Sequence, residues 1–111
     1  MVADLVARGY LDDAQFARHW VQTRASARLL GPVRLRDELR ARGVEAELAE
    51  ADLRESFDAE GELTRALEAG RRKLRTLKSD ERVAFRLRDH LLRRGYPGGV
   101  VTRIVRTLLD I

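Results

Sequence analysis

The segment Arg34-Leu-Arg-Asp-Glu-Leu-Arg-Ala-Arg-Gly43 returns 52 residues later as Arg86-Leu-Arg-Asp-His-Leu-Leu-Arg-Arg-Gly95. Seven of the ten positions are identical in the two copies. Each copy spaces two leucines four residues apart and ends on a glycine, which is typical of an amphipathic helix that stops in a left-handed cap. The recurrence predicts an internal structural repeat.

The residues that flank the repeated segment recur more loosely. Phe16 and Trp20 correspond to Leu63 and Leu67 on one side, and Val44 and Leu48 to Tyr96 and Val100 on the other. Apolar periodicity and helix signals then predict three helices in each copy. We expect the first copy's helices from a cap at Asp12 or Asp13 to about Arg28, from Pro32 to Gly43, and from Glu45 to Ser56. We expect the second copy's helices over 63–77, from a cap at Ser79 to Gly95, and from Pro97 onward.

The sequence therefore predicts an all-α protein built from tandem three-helix repeats in an elongated array of about seven helices. Residues 1–10 are interpreted as the last helix of an incomplete first repeat, because Leu5 and Tyr10 resemble Leu53 and Phe57 at the end of the next one. The two complete repeats are placed at 11–57 and 58–111. No segment shows the alternating polarity of a strand.

Composition excludes several classes of function. The 111 residues include no cysteine, which excludes disulfides and thiolate metal sites. His19 and His90 lie far apart and lack acidic neighbours at ligand spacing, so we expect no metal site and no cofactor. Phosphate-binding loops and nucleophile motifs are missing, which argues against an enzyme. With no signal peptide and no long apolar run, the cytoplasm is the expected compartment and a membrane partner is not expected.

Charge is distributed unevenly along the chain. The formal net charge is +4, yet residues 45–62 hold eight acids and one base, Arg54. The remaining residues hold 21 bases and ten acids. A basic body of this kind suits a polyanion or an acidic protein surface as a partner. An equally strong alternative is that the many arginines, 20 of the 22 bases, only reflect genomic composition.

The motifs resemble those of the RecX family of recombination regulators. Its Gly-Tyr-Leu-Asp-Asp element with a following Phe-Ala matches Gly9 to Asp13, Phe16 and Ala17. Its Gly-Pro element matches Gly31 and Pro32, and its Arg-Leu element matches Arg34 and Leu35. Its Glu-Leu element matches Glu38 and Leu39, and its basic-Gly-Val element matches Arg42 to Val44. A later Leu-Arg-Arg-Gly-aromatic element matches Leu92 to Tyr96. The resemblance covers nearly the whole chain. The family normally has a complete repeat before the first element, so this chain resembles an N-terminally truncated member.

The resemblance implies a non-enzymatic regulatory protein that binds the RecA filament on single-stranded DNA and mainly inhibits its recombinase activity. It implies that single-stranded DNA is contacted indirectly or weakly and that the chain acts as a monomer. The candidate contact residues are the basic side chains of the repeated helices and of the long helix before the second copy: Arg34, Arg36, Arg40, Arg42, Arg71, Arg72, Lys73, Arg86, Arg88, Arg93 and Arg94. The alternative for any one of them is an ordinary solvated helix face.

Three further features have two interpretations each. Trp20 can belong to the core with Phe16, as their helical spacing favours, or stack on a base. Phe85 and Leu92 form a second apolar strip that suits either contact between repeats or a binding surface. The whole chain can also be interpreted as a stand-alone DNA-binding module of the helix-turn-helix type, although the helix from Pro32 offers no Asn or Gln to read bases.

Overall fold

The computed structural model describes the backbone of residues 2–111 and the side chains from Asp12 onward. This part of the chain contains six helices and no strand. They are α1 (Val2–Ser26), α2 (Pro32–Ala41), α3 (Ala46–Ser56), α4 (Ala59–Leu74), α5 (Val83–Arg94) and α6 (Gly98–Leu109). The all-α class is confirmed.

The six helices pack as two groups of three. Helix α1 packs on α3 and α2, and α4 packs on α6 and α5. We call α1–α3 the first triplet and α4–α6 the second triplet. The triplets follow one another along a rod of 63 × 22 × 20 Å, so the prediction of an elongated tandem array is also confirmed.

The repeated segment forms the equivalent helix in each triplet. Leu35 and Leu39 of α2 are fully buried, as are Leu87 and Leu91 of α5. The offset of 52 residues continues into the third helices, where Leu53 and Val105 are both buried. The two copies therefore share one core pattern, in which the leucines of the repeated helix pack under the third helix of the triplet.

Glycines end both copies as predicted. Gly43 has φ +81° and Gly95 has φ +100°, values in the left-handed region where a side chain would be strained. At Gly95 the backbone of the other triplet also lies close by. A Cβ atom at that position would come within 2.3 Å of the Arg34 Cβ.

Backbone groups join the two triplets directly. The amide of Gly31 donates to the carbonyl of Arg94 at 2.7 Å, and the amide of Val33 donates to the carbonyl of Gly95 at 2.9 Å. Tyr96 is buried beside this contact, and its hydroxyl donates to the carbonyl of Leu29 at 2.7 Å. This burial raises the pKa of Tyr96 to about 12. We call this contact the junction.

Two helix boundaries differ from the prediction. The caps expected at Asp12 or Asp13 are wrong, because both residues lie inside the continuous helix α1, which reduces the expected seven helices to six. A glycine inside a helix costs only about 1 kcal/mol, and no proline interrupts this segment. The proposed likeness of Leu5 and Tyr10 to Leu53 and Phe57 falls on side chains outside the described ones.

The predicted N-cap at Ser79 is also wrong. Helix α5 begins at Val83, and the N-cap residue is Arg82. Asp80 organises this turn instead, since its carboxylate accepts from the Arg82 amide at 2.9 Å and from the Arg86 guanidinium at 3.0 Å. These hydrogen bonds, the one to the backbone amide first, lower the pKa of Asp80.

Candidate partner-binding surface

The two triplets differ in charge although their folds match. Residues 12–57 carry eight bases and nine acids, a net charge of −1. Residues 58–111 carry 13 bases and eight acids, a net charge of +5. The basic residues of the second triplet therefore make up the surface that is best suited to an anionic partner.

In the first triplet, one predicted contact residue, Arg42, and one that was not predicted, Arg24, lie against Trp20. The ring lies between two guanidinium groups, with the Arg24 Cζ 3.3 Å and the Arg42 Cζ 4.1 Å from its centroid. Its indole nitrogen donates to Glu38 at 3.1 Å. Trp20 is half-buried against the core with Phe16 next to it, so its structural role in joining α1 to α2 is clear.

Glu38 neutralises this group of cations. Its carboxylate lies 3.4 Å from the Arg34 Nε and 4.0 Å from the Arg24 Nε. Arg34 and Glu38 lie one turn apart on α2, the spacing at which opposite charges pair on a helix. Arg34 and Arg42 are occupied within the protein, which leaves them less available to a partner.

Arg36 is occupied in the same way. Its guanidinium donates to both carboxylate oxygens of Glu50 on α3. This hydrogen bonding lowers the pKa of Glu50 and raises that of Arg36. Arg40, one turn further along α2, is exposed and has no carboxylate partner within the described part of the chain.

The second triplet replaces both of these carboxylates. At the offset of 52 residues, His90 stands where the first triplet has Glu38, and Thr102 stands where it has Glu50. Arg88, the counterpart of Arg36, therefore lacks the acid that Arg36 has, whereas Arg86, the counterpart of Arg34, pairs with Asp80 instead. Both replacements increase the positive charge presented by the second triplet.

The packing of α4 on α5 brings several predicted residues together. Lys73 from the last turn of α4 and Arg93 and Arg94 from the last turn of α5 lie near enough to His90 for their charges to act on it. Burial lowers the pKa of His90, and the charges of Lys73, Arg94 and Arg93 lower it further. We call these four residues the α4–α5 cluster. Arg93 and Arg94 follow Lys73 by about 20 residues in the sequence. Only the packing of α4 on α5 brings the three side chains near the same histidine.

Within the cluster, Arg94 has an unusual environment. Its Nε atom is buried and has no hydrogen-bond partner in the described structure. Arg93 is largely exposed and is paired with Asp89 one turn earlier. Cations at helix C-termini also stabilise the helix dipole, so these residues have a structural role in addition to any binding role.

The other predicted residues of the second triplet lie apart from the cluster. Arg71 is exposed, and Arg72 is paired with Glu68 at 2.9 Å. Arg86 is held by Asp80 at 3.0 Å. Arg88 lies on the far side of α5, in a groove against α6.

Sequence reasoning missed two features of this surface. Arg106 of α6 shares the groove with Arg88, and the Glu38-to-His90 exchange creates the α4–α5 cluster. The signal for both was present in the repeat, because extending the offset of 52 residues aligns Arg106 with Arg54 and His90 with Glu38. Comparing the two copies position by position would have found them.

Other kinds of site receive no support from the described residues. No three His, Asp or Glu side chains in this part of the chain converge to hold a metal ion. None of its helices has the length and apolar content needed to cross a bilayer.

Comparisons with known proteins agree with the repeat. Residues 12–53 match the family model for the second three-helix domain of RecX, and residues 60–105 match the model for its third three-helix domain. No solved structure matches the chain.

Individual relatives give the same result. The chain is 38% identical over 105 residues to the regulatory protein RecX of Streptomyces coelicolor, covering 92% of this chain and 55% of the relative. It is 35% identical to the RecX proteins of Amycolatopsis mediterranei over 108 residues and of Prosthecochloris aestuarii over 100 residues. These alignments cover 96% and 89% of this chain, and 61% and 64% of the relatives. The chain thus spans little more than half the length of the relatives it matches.

Proposed function

The chain belongs to the RecX family, and we propose that it regulates the RecA recombinase by binding the RecA filament on single-stranded DNA. The observation that supports this most strongly is the net charge of +5 on the second triplet, together with the α4–α5 cluster, where the charges of three cations act on a histidine that replaces a carboxylate. A filament of protein and nucleic acid offers both carboxylates and phosphates, and Arg can bind either through its planar fork.

The shape of the protein suits a partner with a repeating surface. A rod 63 Å long can contact several neighbouring protomers of a filament at once. Its two triplets present equivalent helices at two places along this length. Affinity would then come from many modest contacts, among which the central and best desolvated ones dominate.

Such a protein acts by occupying the filament, with no chemistry of its own. Bound along the filament, it would hinder the changes between protomers that strand exchange and ATP hydrolysis need. We therefore expect inhibition of both reactions at protein levels well below one chain per RecA protomer. The measurement is the rate of ATP hydrolysis by RecA on single-stranded DNA as the chain is titrated in. Unchanged hydrolysis at a molar excess of the chain would contradict the proposal.

The alternative of a stand-alone DNA-binding module is favoured by the net charge of +5 on the second triplet. Against it, the exposed face of α5 carries Arg88, Asp89, Leu92 and Arg93, with no Asn or Gln to read bases. Titration of single- and double-stranded DNA without RecA, at two salt concentrations, separates the alternatives. Tight binding with a steep salt dependence would favour the DNA-binding module, and weak binding with RecA-dependent inhibition would favour the filament.

A further inference from the structure

The second triplet has a groove between α5 and α6. It is lined by Phe85, Arg88, Thr102, Val105 and Arg106, and its volume is about 430 Å³. Val105 forms a buried apolar wall, while Phe85 is 58% exposed. The two arginines are exposed and have no carboxylate partner among the described residues.

The first triplet shows how the equivalent groove is used. At the offset of 52 residues the lining residues correspond to Val33, Arg36, Glu50, Leu53 and Arg54, and all five line a groove between α2 and α3. Two residues of the second triplet, Glu62 and Pro97, line that groove as well. The second triplet therefore borders the first groove, which keeps an open volume of about 230 Å³.

The grooves differ in the acid that accompanies the arginines. Arg36 is satisfied by Glu50, and Glu62 adds a second carboxylate to the same groove. Burial raises the pKa of Glu62. In the second groove Thr102 takes the place of Glu50, and no lining residue is acidic. A carboxylate for Arg88 and Arg106 must therefore come from outside this groove.

The grooves also differ in the apolar side chain at their entrance. Val33 in the first groove becomes Phe85 in the second. The Arg82 guanidinium lies 5.1 Å from the centre of the Phe85 ring. An exposed aromatic ring beside unpaired arginines is the combination found at the energetic centres of protein interfaces.

We propose that the α5–α6 groove binds an acidic segment of a partner protein, with a carboxylate against Arg88 and Arg106 and an apolar side chain against Phe85. The unpaired charges of Arg88 and Arg106 lead to an acidic occupant, and the exposed ring of Phe85 leads to an apolar side chain beside the acid. The proposal does not depend on which protein carries the segment, so it can hold or fail separately from the role at the RecA filament.

A second copy of this chain cannot dock on the second triplet through the contact by which the second triplet docks on the first. At the junction Gly31 touches Gly95 so closely that a Cβ atom at Gly31 would lie 2.4 Å from the Gly95 carbonyl carbon. The second triplet has Val83 at the position equivalent to Gly31. Its side chain would block the same approach by another molecule.

The test uses the whole chain and a short synthetic peptide that alternates Asp or Glu with Leu. Amide chemical shifts in NMR spectra report where the peptide binds, and fluorescence anisotropy of a labelled peptide reports its affinity. We expect shifts confined to α5 and α6. A peptide in which Lys replaces each acid should not bind, because it would repel both arginines.

Two substitutions and a matched control identify the groove as the site. Thr102→Glu should supply from within the carboxylate that Glu50 supplies to Arg36, and so weaken peptide binding at least about tenfold while leaving the thermal stability unchanged or raised. Arg88→Glu should weaken it as much. The control is Arg103→Glu, which makes the same charge change as Arg88→Glu but lies on α6 outside this groove. It should change the affinity less than about threefold.

Three results would contradict the proposal. Binding that survives Thr102→Glu would place the peptide elsewhere, and absence of binding by wild type at millimolar peptide would remove the site. Shifts in α5 and α6 caused by oligothymidine but not by the acidic peptide would assign the groove to nucleic acid instead.

Discussion

Single residues decide which cations of this protein are free. The two copies of the repeated helix share both leucines, the final glycine and three arginines, yet Glu38 and Glu50 of the first triplet become His90 and Thr102 of the second. The exchange at Thr102 leaves Arg88 without the carboxylate that Arg36 has, whereas Arg86 pairs with Asp80 instead. Single exchanges on a shared helix pattern therefore decide which arginines have a partner within the protein.

The exchange at His90 should make stability depend on pH. Because burial and nearby cations lower its pKa in the folded state, the unfolded chain binds the proton more readily. The free energy of unfolding should fall as the pH drops below the ordinary histidine pKa of about 6.5. Urea unfolding at several values between pH 7.5 and 5.5 measures this, and His90→Gln should remove most of the dependence. An equal slope in wild type and variant would contradict the assignment.

The Tyr96 hydroxyl should contribute measurably to stability through the junction. Tyr96→Phe leaves the Leu29 carbonyl without its donor, and an unsatisfied buried acceptor costs about 1–3 kcal/mol. Thr64→Ala, which removes an exposed hydroxyl that donates to the Glu60 carbonyl at 2.9 Å, is the control and should have a smaller effect. Thermal unfolding compares them, and equal midpoints in the two variants would show that the junction hydrogen bond is unimportant.

At the scale of elements, the sequence predicts the helices better than their junction. Leucine spacing and the two glycines place α2 and the C-terminal end of α5 correctly, since both signals are local, whereas the start of α5 was placed too early at Ser79. The contact of Gly31 with Gly95 is not local, because it joins residues 64 apart whose glycines also have ordinary roles at helix ends. The continuity of α1 was missed because caps suggested by Asp12 and Asp13 are weak signals beside good helix formers.

The two glycines that end the repeated helices should differ in their tolerance of substitution. Gly95→Ala adds a clash with Arg34 to the strain of a positive φ, and we expect a loss of more than about 3 kcal/mol. Gly43→Ala has the strain but no atom within 4 Å of the new Cβ, so about 1–2 kcal/mol is expected. Chemical denaturation measures both. Equal losses would mean that the junction adapts to a side chain.

At the scale of the whole molecule, shape and charge act together. The rod presents a neutralised first triplet and a basic second triplet at successive positions along its 63 Å length. The overall excess of bases could be read from the sequence. The grouping of Lys73 with Arg93 and Arg94 could not, because it depends on the packing of α4 on α5.

The asymmetry leads to the most direct test of the proposed function. Lys73→Glu/Arg93→Glu reverses two cations of the α4–α5 cluster, while Arg18→Glu/Arg28→Glu reverses two exposed cations of the first triplet as a control of equal charge. The measurement is the concentration of each variant that halves ATP hydrolysis by RecA on single-stranded DNA. We predict a rise of at least about tenfold for the cluster variant and less than about threefold for the control. Equal potency of the folded cluster variant and wild type would contradict the central role of the second triplet.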